Sequence, residues 1–114
     1  MNRMPKFVDT KTIIVNLLRE DRKEYLSLGR LQNLLNFIYK ELWRQGKLKD
    51  YQISFDVSFE ALERTVIYNR DLFALDVDGE VIYLRHTGRV DMASCSYELD
   101  NTLAEIVHDF VEAA

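Results

Sequence analysis

The chain has 114 residues and 13.5 kDa, with 47% hydrophobic and 30% charged residues, which excludes a disordered chain and fits one soluble globular domain with a modest core. No apolar run approaches the ~20 residues that cross a bilayer, the start MNRMPKFVDT has no apolar signal segment, and Cys95, the single cysteine, excludes an internal disulfide and points to the reducing cytoplasm. Net charge is −4 but divided: residues 1–70 carry 13 Lys/Arg against 9 Asp/Glu (net +4), and residues 71–114 carry 2 against 10 (net −8), so one part of the surface should prefer anions and another reject them.

Residues 1–8 read as a loose N-terminal arm, and 9–114 as a single compact domain with no linker or repeat. Asp9 or Thr10 is placed to cap a first helix, because a short polar oxygen accepts the orphan N–H groups there. Ile13, Ile14, Leu17 and Leu18 then follow the spacing of one buried face. The charged run REDRKE (19–24) ends this helix. A very short strand is expected at Tyr25–Leu28.

A long helix follows over about 30–46. Leu31, Leu34, Leu35, Ile38 and Leu42 share one face. Phe37 and Trp43 fall on opposite flanks of that stripe, which suggests a helix packed on several sides. Gly46 suits the residue just past its end, with Arg44 and Lys47 near the negative end of the dipole. Arg30, Lys40, Arg44 and Lys47 are spaced to form a basic ribbon on its outer side.

YQISFDVS (51–58) alternates strictly, the pattern of a half-buried strand over 51–57. Whether it joins the sheet stays open. Ser58 can cap a third helix with Phe59, Leu62 and Val66 as its stripe and Glu60 in the first turn. DLFALDVDGEVIYLR (71–85) reads as a β-hairpin over 72–77 and 80–86. Asp78-Gly79 suits a type I′ turn, and that turn sets Val77 opposite Glu80, Leu75 opposite Ile82 and Phe73 opposite Leu84. Residues 90–95 are a candidate third strand. A final helix starts between 97 and 102 and runs to 112, with Leu99, Leu103, Ile106, Val107, Phe110 and Val111 on its apolar face. Thr102 and Glu105 have capping-box spacing. This helix either closes the core or packs against its mate in a homodimer.

The stretches KTIIVNLL, YLSLGRLQNLLNFIYKEL, SFEALERTVIYN and LFALDVDGEVIYLR give the order helix, short strand, helix, helix, hairpin, helix. That order resembles a winged-helix domain. The expected fold class is α+β: helix-rich and winged-helix-like, with a small antiparallel sheet and a C-terminal helix. The chain departs from the family in its long second helix and in the longer connection to the third. The resemblance implies that the third helix enters the major groove, that the hairpin touches the DNA backbone, and that the terminal helix can dimerise.

Charge argues against that function. Phosphate contacts supply most DNA affinity and need cationic or N–H donors. The third helix sets Glu60 and Glu63 against Arg64, and the hairpin tip carries Asp76, Asp78 and Glu80. An acidic wing repels phosphate. The expected function is therefore a non-catalytic protein-interaction or adaptor module that binds a basic protein through Asp76, Asp78, Glu80 and the acidic C-terminal half. The alternative is a DNA-binding regulator using Arg30, Lys40, Arg44, Lys47, Lys49 and Arg64.

Enzymatic motifs are weak. Glu105 and His108 have the Glu-x-x-His spacing of di-iron bundles, but a second copy would have to come from a homodimer; a polar outer face is the simpler reading. Cys95 and His86 are the possible thiol–imidazole pair, with no third orienting group. There is no Walker loop, dinucleotide fingerprint or zinc spacing. No cofactor is expected.

Overall fold

The computed structural model describes residues 4–21, 25–55, 58–68, 73–78, 81–86 and 98–113. In chain order these form β1 (Lys6–Val8), α1 (Thr10–Asp21), β2 (Tyr25–Ser27), α2 (Leu28–Arg44), a 3-10 turn (Leu48–Asp50), β3 (Tyr51–Ile53), α3 (Phe59–Tyr68), β4 (Phe73–Asp78), β5 (Val81–His86) and α4 (Asn101–Glu112). The fold is helix-rich α+β with a C-terminal helix. Among the described residues no helix is long and apolar enough to cross a membrane.

The core is a helical one. Ile13, Ile14, Leu17 and Leu18 of α1 are buried, as their spacing requires, and Val15 joins them, so α1 is covered around a wide arc. The stripe Leu31, Leu34, Leu35, Ile38 and Leu42 of α2 is buried in full. Leu103, Ile106 and Val107 of α4 complete the cluster, with Leu26 from β2 and Val8 from β1. α4 packs against both α1 and α2, so the C-terminal helix closes this core.

The helix ends are held by identifiable groups. Asp9 Oδ1 accepts the Lys11 N–H at 3.1 Å, and the Asp9 carbonyl accepts those of Thr12 and Ile13. α2 starts two residues before the expected boundary because Ser27 caps it, its Oγ accepting the Arg30 N–H at 3.1 Å. At the other end Gly46 has φ +70°. Lys47 N–H donates to Leu42 O at 2.9 Å and Gly46 N–H to Trp43 O at 3.1 Å, the paired bonds of a Schellman closure. Ser58 Oγ accepts the Ala61 N–H at 3.1 Å at the start of α3. In α4 the cap is Asp100, whose Oδ1 accepts the Leu103 N–H at 2.9 Å. Thr102 does not cap it: Asp100 sits one residue ahead of the first turn, with extended backbone that aims a carboxylate at the free N–H groups.

Three expectations about strands are corrected. The segment read as a loose arm contributes β1, which pairs in parallel with β3, with Lys6, Phe7 and Val8 opposite Tyr51, Gln52 and Ile53. The pairing buries Val8; an apolar side chain and a free strand edge together outweigh the freedom of a chain end. Of the strand expected over 51–57, Tyr51–Ile53 form β3, matched to the length of β1, Ser54 and Phe55 are not strand, and residues 56–57 lie outside the described residues. The register of β4 and β5 also differs. Their backbones pair antiparallel with Asp78 opposite Val81, Val77 opposite Ile82, Leu75 opposite Leu84 and Phe73 opposite His86, so the strands span 73–78 and 81–86, where 72–77 and 80–86 were expected. The backbone partner of each β4 residue is offset by two from the expected one, so Val77 pairs with Ile82 in place of Glu80. β2 pairs antiparallel with β5, giving the order β2-β5-β4. The candidate strand at 90–95 lies outside the described residues.

Candidate functional site

The six cations proposed for nucleic acid do not form one track. Arg30 turns inward: its Nε and Nη2 donate to Asp21 Oδ2 and Oδ1, both at 2.7 Å, and its guanidinium carbon lies 5.0 Å from the centre of the Phe110 ring. The hydrogen bond to Asp21 raises the Arg30 pKa still further. Arg44 donates to Glu41 Oε2 at 2.5 Å, one turn back on α2, and that bond holds the Glu41 carboxyl below its ordinary value. Lys47 is half-buried and reaches Thr102 Oγ1 at 3.4 Å on α4. Lys40, Lys49 and Arg64 are exposed. The expected ribbon on α2 is therefore interrupted at both ends.

The flanks of α2 are unequal. Phe37 is half-buried and meets Phe110 of α4 edge-on, at 5.6 Å between ring centres and 63° between planes. Trp43, about 120° away around the helix at ~100° per residue, is 71% exposed. Tyr39, on the Trp43 side, is 45% exposed, and its ring meets that of Phe55 at 5.3 Å and 88°. The helix is thus packed on one flank and open on the other. Periodicity places Trp43 off the core stripe, but only long-range structure decides whether a neighbour covers it.

α4 presents the opposite charge. Glu105, Asp109 and Glu112 are all exposed, and their i, i+4, i+7 spacing puts them on one stripe. No basic residue stands in the last turn. His108 lies beside this stripe, with Nδ1 3.4 Å from Glu20 Oε2 of α1. Glu105 and His108 are both exposed, and among the described residues no three His, Cys, Asp or Glu side chains are grouped to hold a metal ion. The backbones of Asp76 and Asp78 lie in β4; their side chains, Glu80 and Cys95 fall outside the described residues.

A third group was not anticipated. Lys6 of β1, Tyr51 of β3 and Asp100 before α4 meet at one junction. Tyr51 Oη donates to Asp100 Oδ2 at 2.6 Å, and Lys6 Nζ lies 3.6 Å from the same oxygen. Burial pushes the Tyr51 hydroxyl up to about 12, and the bond to Asp100 adds to the shift. Burial pushes Asp100 the other way from its partners, but the Leu103 N–H, the Tyr51 hydroxyl and Lys6 together hold it below its ordinary value. Two surface clefts adjoin the junction, one of ≈ 330 Å³ between β1 and residues 98–100, the other of ≈ 290 Å³ beside Met4, Asp50 and Tyr51. Both Asp100 oxygens are committed, and the Tyr51 proton is already donated. The junction joins three separate segments of the chain. Its sequence signal was slight: an Asp within the range expected for the start of the final helix, and a Tyr at a strand start.

Comparison with known families, characterised proteins and solved structures finds no match.

Proposed function

We propose that the chain is a non-catalytic protein-interaction module, an adaptor whose acidic C-terminal half meets a basic protein. The carboxylate stripe Glu105, Asp109 and Glu112 on α4 carries this reading. Two of these acids stand in the last turn, where the helix dipole disfavours negative charge. A surface that keeps acids against that local preference has the character of a recognition surface. The net −8 of residues 71–114, with Asp76, Asp78 and Glu80 on and after β4, extends the same sign of charge. The test is affinity capture from host cells with the full chain and with a Glu105→Lys/Asp109→Lys/Glu112→Lys variant. A captured protein with a basic surface, lost on charge reversal, supports the reading. Equal capture by both chains counts against it.

A second reading is a winged-helix DNA-binding regulator. The helix and strand succession with the order β2-β5-β4 supports it, and Lys40, Lys49 and Arg64 are the exposed cations it would use. Titration of duplex DNA with salt separates the two. A regulator shows affinity that falls steeply as salt rises; no binding at low salt removes this reading.

A further inference from the structure

We propose that the open flank of α2 is a second docking surface, which takes an acidic amphipathic segment of a partner protein. Trp43 and Tyr39 are the two large apolar side chains of this helix left exposed, and Tyr39 is braced by Phe55 from beyond β3. Trp and Tyr at this degree of exposure are the residue types that anchor protein interfaces. Residues 40–50, which carry Trp43 and follow Tyr39, hold an excess of positive charge, four Lys/Arg against Glu41 and Asp50. Lys40 lies between Tyr39 and Trp43 in sequence and Lys49 follows the helix, both exposed. Glu41, the single acid of α2, is bonded to Arg44. The apolar side of a bound segment covers the two rings, and its carboxylates meet the two lysines.

Two other occupants fit less well. Single-stranded nucleic acid can stack on exposed rings, but it also needs a basic groove that tracks its backbone, and Arg30, Arg44 and Lys47 are each engaged elsewhere. A second copy of this chain could offer the acidic stripe of α4, yet that stripe has no large apolar residue to cover Trp43. The surface lies on a different side of α2 from α4, so it is separate from the acidic surface above and does not depend on that reading.

Trp43 is the sole tryptophan, so its emission reports on this surface alone. The experiment titrates the full chain at low salt with three probes. These are a designed helical peptide with Leu and Phe at i, i+3, i+4 and i+7 flanked by Glu, the same peptide with every Glu replaced by Lys, and a single-stranded oligothymidylate. The acidic peptide is expected to shift Trp43 emission to the blue and to saturate. Anisotropy of the labelled peptide should show binding at least tenfold weaker to Lys40→Glu/Lys49→Glu and to Trp43→Ala, with far-UV circular dichroism unchanged. The lysine peptide should bind at least tenfold more weakly than the acidic one. No saturable shift with the acidic peptide overturns the proposal. So does an equal response to the lysine peptide, which means unselective apolar adhesion, and so does quenching by the oligonucleotide in its place. A concentration-dependent blue shift without any probe overturns it in favour of a second copy.

Discussion

Arg30 and Asp21 form a two-pronged ion pair, with both hydrogen bonds at 2.7 Å, joining the first turn of α2 to the last residue of α1. The Asp21 side chain is 8% exposed and that of Arg30 26%, so water screens this pair less than a surface one. The Phe110 ring against the guanidinium adds α4 to the same point. Three helices are locked there by one cation.

Asp21→Asn should lower unfolding free energy by about 2 kcal/mol, the scale of a lost charged hydrogen-bond pair. Arg30→Lys should fail to restore the parent value, because an ammonium cannot match both carboxylate oxygens or lie flat against a ring. Urea unfolding of the two variants checks both statements. A cost below about 0.5 kcal/mol for each would place the pair with ordinary surface ion pairs.

Glycine to alanine should change sign between two positions. Gly46 has φ +70° with open space around it, so Gly46→Ala meets only the left-handed backbone penalty, about 1 kcal/mol of destabilisation. Gly29 lies in the first turn of α2, also in open space and without positive φ. Gly29→Ala should stabilise by up to about 1 kcal/mol. Thermal melts of the two variants should move in opposite directions.

The junction predicts two pH limbs. Asp100 has a lowered pKa in the folded chain. Its contribution is complete above the ordinary aspartate range and is lost as pH falls through the lowered value. Asp100→Asn keeps a capping oxygen and removes the titration, so its acid limb should be shallower. Asp100→Ala also loses the cap, at about 1 kcal/mol. Tyr51 is raised to about 12. Its contribution is complete below the ordinary tyrosine value of about 10 and is lost as pH rises through the folded value. Tyr51→Phe should flatten that alkaline decline. Denaturant midpoints against pH for parent and variants give both limbs.

The acidic stripe predicts opposed effects on stability and binding. Asp109→Asn and Glu112→Gln relieve repulsion at the C-terminal end of α4, and each should raise stability by about 0.3–1 kcal/mol at low salt. The same variants should weaken capture of a basic partner. A stability gain with unchanged capture would assign these acids no part in recognition.

Much of the helical layer was legible because it depends on local pattern. The stripe Leu31 to Leu42, the turn at Gly46 and the Ser58 cap follow from spacing and from which residues tolerate which backbone. What escaped were relations between distant segments. β1 was missed because KFV alone is too short to carry a period, and its pairing with YQI appears only when both strands are placed side by side. Turn chemistry at Asp78-Gly79 predicts Val77 opposite Glu80, while the backbone register pairs Val77 with Ile82. For the candidate sites the lesson is similar. Charge type was readable, but the engagement of Arg30 by Asp21 nine residues earlier, and of Lys47 by Thr102 on the last helix, depends on packing.

β1 and β3 meet only after α1, β2 and α2 have been laid down between them. Closing a loop of roughly forty residues to gain three paired positions gives little return for the entropy surrendered. This strand pair is therefore a late event in folding and an early one in opening. Its amides should exchange with deuterium well ahead of those in the middle of α2. Lys6 and Tyr51 also hold Asp100, so release of the strand pair loosens the first turn of the final helix. A protease cutting ahead of Asp9 would then unfasten both ends of the molecule at once.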